Sequence, residues 1–249
     1  MSEVLGLGAN IYRNYEAGEM PSVATGRLIR MSEDAKEFEK LVQLSKNVFE
    51  PGEFEKLQRK LQQSMHGWEA VNEYLESWLF GSKLPDIYNG YRVPNLKKIG
   101  NMVKYFSQEN KPFTTALNKL MFYADFSHFK NYGYSISGVR YKAIQKGPVP
   151  ANYGGIYNQL VNEGYVRVEE RDFKDFVGEQ FFSNGNIDLN EIAVFTETEI
   201  DILTKVANRF KNLNTKQIVR SSHDELAWQQ NAEEFDLISY VYGFELHVE

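Results

Sequence analysis

The positions of apolar residues along the chain predict a mainly helical protein with a small sheet. Residues 114–129 are apolar on nearly every side of a helix, which predicts a buried central helix. β-patterned segments at 132–146, 164–171, 180–183 and 192–195 predict a small antiparallel unit. The predicted fold class is α+β, predominantly α-helical. Apolar residues at helical spacing predict further helices over 10–16, 33–46, 53–65, 68–78, 99–106, 153–161, 196–210 and 215–219, and Pro21-Ser22 opens one more.

Glycine and proline divide this pattern into parts. The turn residues between Gly81 and Pro94 predict a domain boundary, and His66-Gly67 predicts a break before an amphipathic packing stripe over 68–78. Gly147-Pro148-Val149-Pro150 predicts a rigid turn, because each proline fixes its own φ. The predicted organisation is a partial helix-turn-helix over residues 1–32, a helical connector over 33–92 and a compact helical domain with a small antiparallel β-sheet over 93–249.

Composition excludes several kinds of protein. The chain of 249 residues has no cysteine, which excludes disulfides, cysteine-ligated zinc, iron–sulfur clusters and a cysteine nucleophile. No apolar run approaches the roughly 18 residues of a membrane span, and the N-terminus lacks a signal-peptide pattern. With 42% hydrophobic residues and a net charge of −6, the sequence predicts a soluble, cytoplasmic globular protein without a membrane partner.

Charge is distributed unevenly along the chain. Residues 92–146 hold ten basic and two acidic residues, whereas residues 163–249 hold eight basic and eighteen acidic ones. Such segregation indicates either a basic face for nucleic acid or an acidic partner, or two parts that pair their charges in one folded domain. Pairing is the favoured interpretation. The basic candidates are Lys97, Lys98, Lys104, Lys111, Lys119, Arg140, Lys142 and Lys146.

Candidate catalytic and metal-binding patterns are few. Asp125 and His128, three apart on the predicted central helix, fit a catalytic or metal pair, but hydrogen bonding within the core is the favoured role. Ser222-His223 is the nearest nucleophile–base pair, yet Ser222 is better placed as a helix N-cap, in a capping box with Glu225. No His-Glu-x-x-His, P-loop or Gly-x-Gly-x-x-Gly motif occurs. The sequence therefore predicts no enzyme activity, no cofactor and no metal.

The first segment resembles a DNA-binding family. Residues 5–22, Leu-Gly-Leu-Gly-Ala-Asn-Ile-Tyr-Arg-Asn-Tyr-Glu-Ala-Gly-Glu-Met-Pro-Ser, are similar to the recognition-helix stretch of Xre-type repressors and of MqsA-like antitoxins. The resemblance implies that Asn10, Arg13 and Asn14 face the major groove of operator DNA, while Ile11 and Tyr15 pack inward. Because the chain starts almost inside this motif, we expect weak or absent operator binding by the chain alone. A longer parent protein would bind the operator, as a homodimer on paired half-sites.

Residues from about 95 to the end resemble a Panacea (SocA-like) antitoxin domain. The resemblance is carried by residues 117–129 and by three later motifs: Tyr132-Gly133-x-Ser135-Ile136-x-Gly138, Gly147-Pro148-Val149-Pro150 and Ser222-His223-x-Glu225-x-x-Trp228. It implies a binding protein that neutralises a cognate toxin by direct complexation and that presents the toxin to a bacterial protease. Partner-binding residues are then expected at Gly147, Pro148, Val149, Pro150, His223 and Trp228.

Alternatives stay open for both the function and the residues. The chain also fits a DNA-binding transcriptional regulator whose C-terminal domain binds another protein and, more weakly, a hydrolase. For His223 and Trp228 a structural role is the favoured interpretation, in which the indole is a buried anchor whose N–H finds a partner, and toxin binding is the alternative.

Overall fold

The computed structural model describes residues 1–8, 10–173 and 176–247, with their side chains except those at 35, 51, 64, 66–70 and 176. Contacts divide the chain into two compact units, Met1–Leu75 and Glu76–Glu249. The predicted boundary after residue 92 lies within the second unit. The three-part organisation therefore stays a prediction, and each unit is described by itself.

The first unit is helical and has a small apolar core. All residues of α1 and α2 are described, and none of them is buried. Ile11 and Tyr15 are half-buried, so their predicted inward packing is partial. The elements are α1 (Ile11–Glu16), α2 (Val23–Met31), α3 (Ala35–Leu44), a 3₁₀ turn (Lys46–Val48) and the first part of α4 (Pro51–Phe80). The core consists of buried Val4, Val42 and Phe54, with Phe38, Leu41, Phe49, Leu57 and Leu61 packed against them.

Helix α4 is continuous from Pro51 to Phe80, so the predicted break at His66-Gly67 is wrong. One glycine in a helix interior costs only about 1 kcal/mol relative to alanine. The glutamate, lysine, leucine and glutamine residues that fill much of this helix are good helix formers and offset that cost. No helix in the described ranges is both long and apolar enough to cross a membrane.

The predicted packing stripe on the second half of α4 is wrong at three of its positions. Val71, Tyr74 and Trp78 are all exposed. The side chain of Trp68 lies outside the described residues. Helical spacing identifies an apolar stripe, but it does not distinguish a stripe that packs within its own chain from one left at the surface.

The second unit is built around α6 (Thr114–Tyr132). Every residue from Ala116 to Phe129 is buried, which confirms the predicted central helix. Helix α6 contacts α8, α9 and β2, so it lies at the centre of the core of this unit. The other elements are α5 (Leu96–Glu109), β1 (Tyr141–Ile144), β2 (Gly147–Pro150), α7 (Tyr153–Asn162), β3 (Val166–Phe173), β4 (Phe176–Ser183), α8 (Glu197–Phe210), α9 (Thr215–His223), α10 (Leu226–Gln229), β5 (Leu237–Ile238) and a 3₁₀ segment (Tyr240–Glu245).

Two antiparallel arrangements confirm the predicted small β-structure. Strand β1 lies between β2 and β5, and β3 pairs with β4 in a separate hairpin. Ile144 pairs with Gly147 and Tyr141 with Pro150, so residues 145–146 form a two-residue hairpin turn. The fold is α+β and predominantly helical, as the sequence predicts.

Two local predictions are corrected by these strands. Gly147–Pro150 forms strand β2 rather than a rigid turn. Its two prolines are tolerated because β2 is an edge strand, where a missing N–H need not break the ladder. The strand predicted at 192–195 is absent from this fully described stretch, which forms turns in which the Val194 N–H is bonded to the carbonyl of Ile192.

Candidate partner-binding site

The β1–β2 hairpin packs against α6, α9 and α10 and carries four of the predicted partner-binding residues. Gly147 has a φ of +99°, which residues with a Cβ rarely adopt. A Cβ at this position would lie 2.6 Å from Ser222 Oγ and 2.7 Å from Lys119 Cε. Glycine therefore allows β2, α6 and α9 to approach closely. All four residues of Gly147–Pro150 are buried in this packing.

Lys119 is buried where α6 meets β2. Its Nζ donates a hydrogen bond to the carbonyl oxygen of Pro148 at 2.7 Å. Burial lowers the pKa of Lys119 to about 7, because removal from water disfavours the charged amine. Near neutral pH the fold thus holds an amine that changes charge beside the predicted partner-binding strand.

His223 and Trp228 stack on each other, with ring centroids 3.8 Å apart and planes within 10°. The Trp228 Nε1–H donates to the carbonyl oxygen of Ile144 at 2.8 Å, as expected for an indole anchor. His223 Nε2 is buried and makes no hydrogen bond within the described part of the chain. Burial, followed by the nearby charge of Lys119, lowers the pKa of His223. The structure therefore brings His223 and Trp228 to the hairpin, while their role in binding stays a prediction.

Ser222 does not cap a helix, so that prediction is wrong. It lies within the last turn of α9, where its hydroxyl donates to the carbonyl oxygen of Val219 at 2.8 Å. Glu225 occupies the N-cap position of α10 without a side-chain capping bond. Helix α9 extends further than its apolar spacing indicates, and this places Ser222 inside a helix.

Glu225 is instead a buried hydrogen-bond acceptor. Its Oε1 accepts from the Tyr123 hydroxyl at 3.2 Å, and its Oε2 accepts from the backbone N–H of His247 at 3.1 Å. Burial and the charge of Glu225 raise the pKa of Tyr123. Glu225 thus ties α10 to the central helix and to the C-terminal segment.

Asp125 and His128 have separate partners, which confirms the favoured prediction of hydrogen bonding within the core. Asp125 Oδ1 accepts from the backbone N–H groups of Ile136 and Ser137, at 2.9 and 2.8 Å. Its Oδ2 accepts from the hydroxyls of Ser137 and Tyr141. Burial raises the pKa of Asp125, while the hydrogen bonds oppose that shift. The carboxylate therefore fixes the loop that follows α6.

The ring of His128 bridges two other segments. Nδ1 lies 2.7 Å from the carbonyl oxygen of Tyr134 and Nε2 lies 3.2 Å from Thr198 Oγ1. Since a carbonyl can only accept, Nδ1 carries the proton in this bond. Burial lowers the pKa of His128, so the neutral ring is favoured.

Glu199 is buried at the start of α8 and accepts hydrogen bonds from two cations. Its Oε1 lies 2.7 Å from both Arg92 Nη1 and Lys98 Nζ. Burial alone would raise the pKa of Glu199, but the hydrogen bond from Lys98 and the other donors lower it below its ordinary value. The carboxylate therefore joins α8 to the chain around residues 92–98.

The basic residues of 92–146 do not form one face. Lys98 and Lys119 are buried, and Arg140 pairs with Asp86. Lys98 and Arg92 pair with Glu199, which belongs to the acidic segment 163–249. Pairing within the folded domain, the favoured interpretation of the charge pattern, is confirmed for Arg92, Lys98 and Arg140 but not for Lys119, which bonds to a backbone carbonyl.

The predicted DNA-binding residues lie in the first unit. Asn10 occupies the N-cap position of α1 with a φ of +66°, and Arg13 and Asn14 lie within the helix. All three are exposed. DNA binding by these residues stays a prediction.

The polar side chains described above join the elements of the second unit. Within the described ranges, no group of three or more histidine, aspartate and glutamate side chains is placed to hold a metal ion. The polar side chains around α6 are mostly buried and hydrogen-bonded, which fixes the positions of the hairpin and of α9 and α10.

Comparison with known protein families identifies one match. Residues 117–229 match the family model described as antitoxin SocA-like, Panacea domain. The matched segment runs from α6 to α10 and includes Gly147–Pro150, His223 and Trp228. Neither the search of curated proteins nor the search of solved structures gave a match. Residues 117–229 of the second unit are therefore similar to an antitoxin domain, which supports an antitoxin-like role with a protein partner such as a toxin.

Proposed function

We propose that the chain is a cytoplasmic antitoxin that neutralises a cognate bacterial or phage toxin by direct binding. The observation that carries this proposal is the match of residues 117–229 to the SocA-like antitoxin domain. That segment contains nearly all of the buried helix α6, the hairpin and α9 that pack on it, and α10, which packs on β2 and α9. We assign binding to this body because its buried polar groups hold one rigid arrangement.

Growth rescue tests the proposal. The chain is co-expressed with the product of a short, lethal reading frame beside its gene, and we expect growth to be restored. Gly147→Val should abolish rescue, because a Cβ there clashes with Lys119 and Ser222. Gly154→Ala is the matched control, since a Cβ at Gly154 meets no atom within 4 Å. Continued lethality with the wild-type chain folded and expressed would contradict the proposal.

Presentation of the toxin to a protease is a finer part of the proposal. It predicts that the half-life of the toxin falls when the chain is present. A pulse-chase experiment with and without the chain measures this. An unchanged half-life alongside full growth rescue would leave direct complexation as the mechanism and remove the adaptor role.

Operator binding is the second candidate function, supported by the exposure of Asn10, Arg13 and Asn14. A regulator with a C-terminal protein-binding domain would use these residues on paired half-sites. Gel-shift assays with the DNA upstream of the gene test it, comparing the wild type with Arg13→Ala/Asn14→Ala and with the exposed control Arg59→Ala. Weakening confined to the double variant supports DNA binding, and equal retardation of all three proteins contradicts it.

A further inference from the structure

Four apolar side chains of the second unit lie on its surface in two segments that contact each other. Tyr88 and Tyr91 precede α5, and Val241 and Phe244 lie in the 3₁₀ segment. Their exposed fractions are 38%, 55%, 51% and 57%, which is high for side chains of this size. We call these four residues the aromatic face.

Ring contacts and a backbone bond make this face continuous. The ring of Phe129 lies 6.3 Å from that of Tyr91 and 5.6 Å from that of Phe244, measured between centroids. The Tyr240 N–H donates to the carbonyl oxygen of Ile87 at 3.0 Å, which joins the two segments. Val241 and Phe244 are three residues apart in a 3₁₀ helix, where such side chains eclipse on one side.

The exposed ring of Tyr91 is held in an uncommon backbone conformation. Its φ is +54°, which a bulky residue seldom adopts. The surrounding loop enforces it: the Tyr91 N–H donates to the carbonyl of Asp86 at 2.9 Å, and the Ser135 N–H donates to that of Gly90 at 2.9 Å. Buried Asn89 adds a side-chain bond to Leu84. Backbone outliers fixed in this way are concentrated at sites that contact ligands.

Charge along the segment that carries Val241 and Phe244 indicates the kind of partner. Residues 230–247 contain four carboxylates and no lysine or arginine. These carboxylates are exposed and have no ion-pair partner in the described part of the chain; they belong to Glu233, Glu234, Asp236 and Glu245.

Two cations near the face are paired with carboxylates: Arg92 with Glu199 and Arg140 with Asp86. Lys130 donates to the carbonyl of Leu246, which carries no charge to neutralise it, and Lys142, opposite Leu237 in the sheet, has no ion-pair partner among the described residues. Four unpaired carboxylates against these two cations leave the border formed by residues 230–247 and their neighbours acidic in balance. A partner rich in lysine and arginine complements this border, whereas a second copy of the chain would bring like charges together.

We propose that the aromatic face is the docking surface for the toxin, and that the toxin presents an apolar patch bordered by lysine or arginine. This inference rests on the proposed antitoxin function. In protein–protein interfaces, a few side chains at the centre of a patch with a polar rim supply most of the binding energy, and aromatic residues are enriched among them. The aromatic face is distinct from the β1–β2 hairpin, whose strand β2 is buried.

Calorimetric titration of the purified chain with the toxin tests the inference. Tyr91→Asn/Phe244→Ser removes two rings, and asparagine tolerates the left-handed backbone at position 91. Val161→Ser/Val177→Ser is the control, because both valines are exposed elsewhere on the unit. We expect Kd to rise at least about thirtyfold for the first variant and to stay unchanged for the control. Thermal unfolding of both variants verifies that they are folded.

A charge variant supplies an independent readout. Glu245→Lys should slow association at low salt, with a smaller effect at high salt, because it opposes a basic partner. Unchanged affinity of the folded double variant overturns the assignment of this face while the antitoxin function stands. Absence of binding by the wild type removes the antitoxin function, and this inference falls with it. If the wild type is a dimer and the Tyr91→Asn/Phe244→Ser variant is a monomer, the aromatic face binds a second copy of the chain. That result also overturns the inference.

Discussion

The buried Nζ of Lys119 donates a hydrogen bond of 2.7 Å to the carbonyl oxygen of Pro148 and thereby joins the central helix to strand β2. Lysine makes this bond without a carboxylate partner among the described residues, and burial lowers its pKa from an ordinary 10.5 to about 7. The hairpin that carries the predicted binding residues is thus held by a group whose charge depends on pH.

Stability should therefore increase as pH rises from about 7 to 10. In that window the unfolded chain binds the Lys119 proton and the folded chain has released it, so this residue adds up to about 1.4 kcal/mol per pH unit to the free energy of unfolding. Lys119→Met removes this contribution. Urea unfolding across the pH range measures it, with the exposed Lys216→Met as control. A wild-type minus Lys119→Met difference that stays constant with pH would falsify the prediction.

Glu199→Ala should destabilise the second unit by about 3–5 kcal/mol, because it leaves the buried amine of Lys98 without its partner. Glu197→Ala, at an exposed position in the same first helical turn, should cost less than about 1 kcal/mol. Chemical denaturation measures both. If both variants lose the same free energy of unfolding, the Lys98–Glu199 pair stabilises the unit no more than an exposed charge does.

The same carboxylate gives a second, acidic pH dependence. The pKa of Glu199 is lower in the folded chain than in the unfolded chain. Glu199 therefore adds to the free energy of unfolding at pH values above the ordinary carboxyl pKa, and this contribution is lost as pH falls through the pKa of the folded state. Glu199→Gln should flatten this acid limb of the stability profile. If stability at low pH changes with pH in Glu199→Gln as it does in the wild type, the Lys98–Glu199 ion pair does not cause the acid dependence.

Asp125→Ala should cost about 2–5 kcal/mol, and Asp125→Asn clearly less. Alanine leaves the backbone N–H groups of Ile136 and Ser137 without an acceptor. Asparagine retains one oxygen for them, and the hydroxyls of Ser137 and Tyr141 can turn to accept from its amide. Thermal unfolding compares the three proteins, and an alanine variant as stable as the wild type excludes this role for Asp125.

His223→Ala should leave the chain folded and weaken toxin neutralisation. The substitution removes a ring stacked on Trp228, a loss of about 1 kcal/mol, together with a buried Nε2 that has no hydrogen-bond partner in the described part of the chain. Trp228→Phe, which removes the bond to Ile144, should act on stability instead, by about 1 kcal/mol. Growth rescue and thermal unfolding separate the two effects. An unfolded His223→Ala protein would support the purely structural role of the stacked pair.

Local patterns account for the parts of the fold that the sequence predicts. The central helix follows from the apolar residues around α6. Apolar spacing over 196–210 predicts α8, which begins with a capping box of Thr196 and Glu199. Pro21-Ser22 predicts the start of α2, where Ser22 is the N-cap. Strand β2 escapes prediction because its two prolines indicate a turn, whereas pairing with β1 makes it an edge strand.

The site is less predictable, because its contacts join distant residues. Lys119 bonds to Pro148, and Arg92 bonds to Glu199 across 107 positions. Spacing along the chain carries no information on such pairs. The sequence predicts Gly147 only as part of a turn, and it does not identify Lys119 and Ser222 as its close neighbours.

Binding of the purified chain to its toxin is the most direct test of the central claim. Isothermal titration calorimetry at several temperatures should give saturable binding with a Kd below about 1 µM and a negative heat-capacity change, as expected for burial of apolar surface. No heat of binding at any temperature, with a toxin whose lethality the chain still suppresses in cells, would contradict the account, because neutralisation would then need no complex.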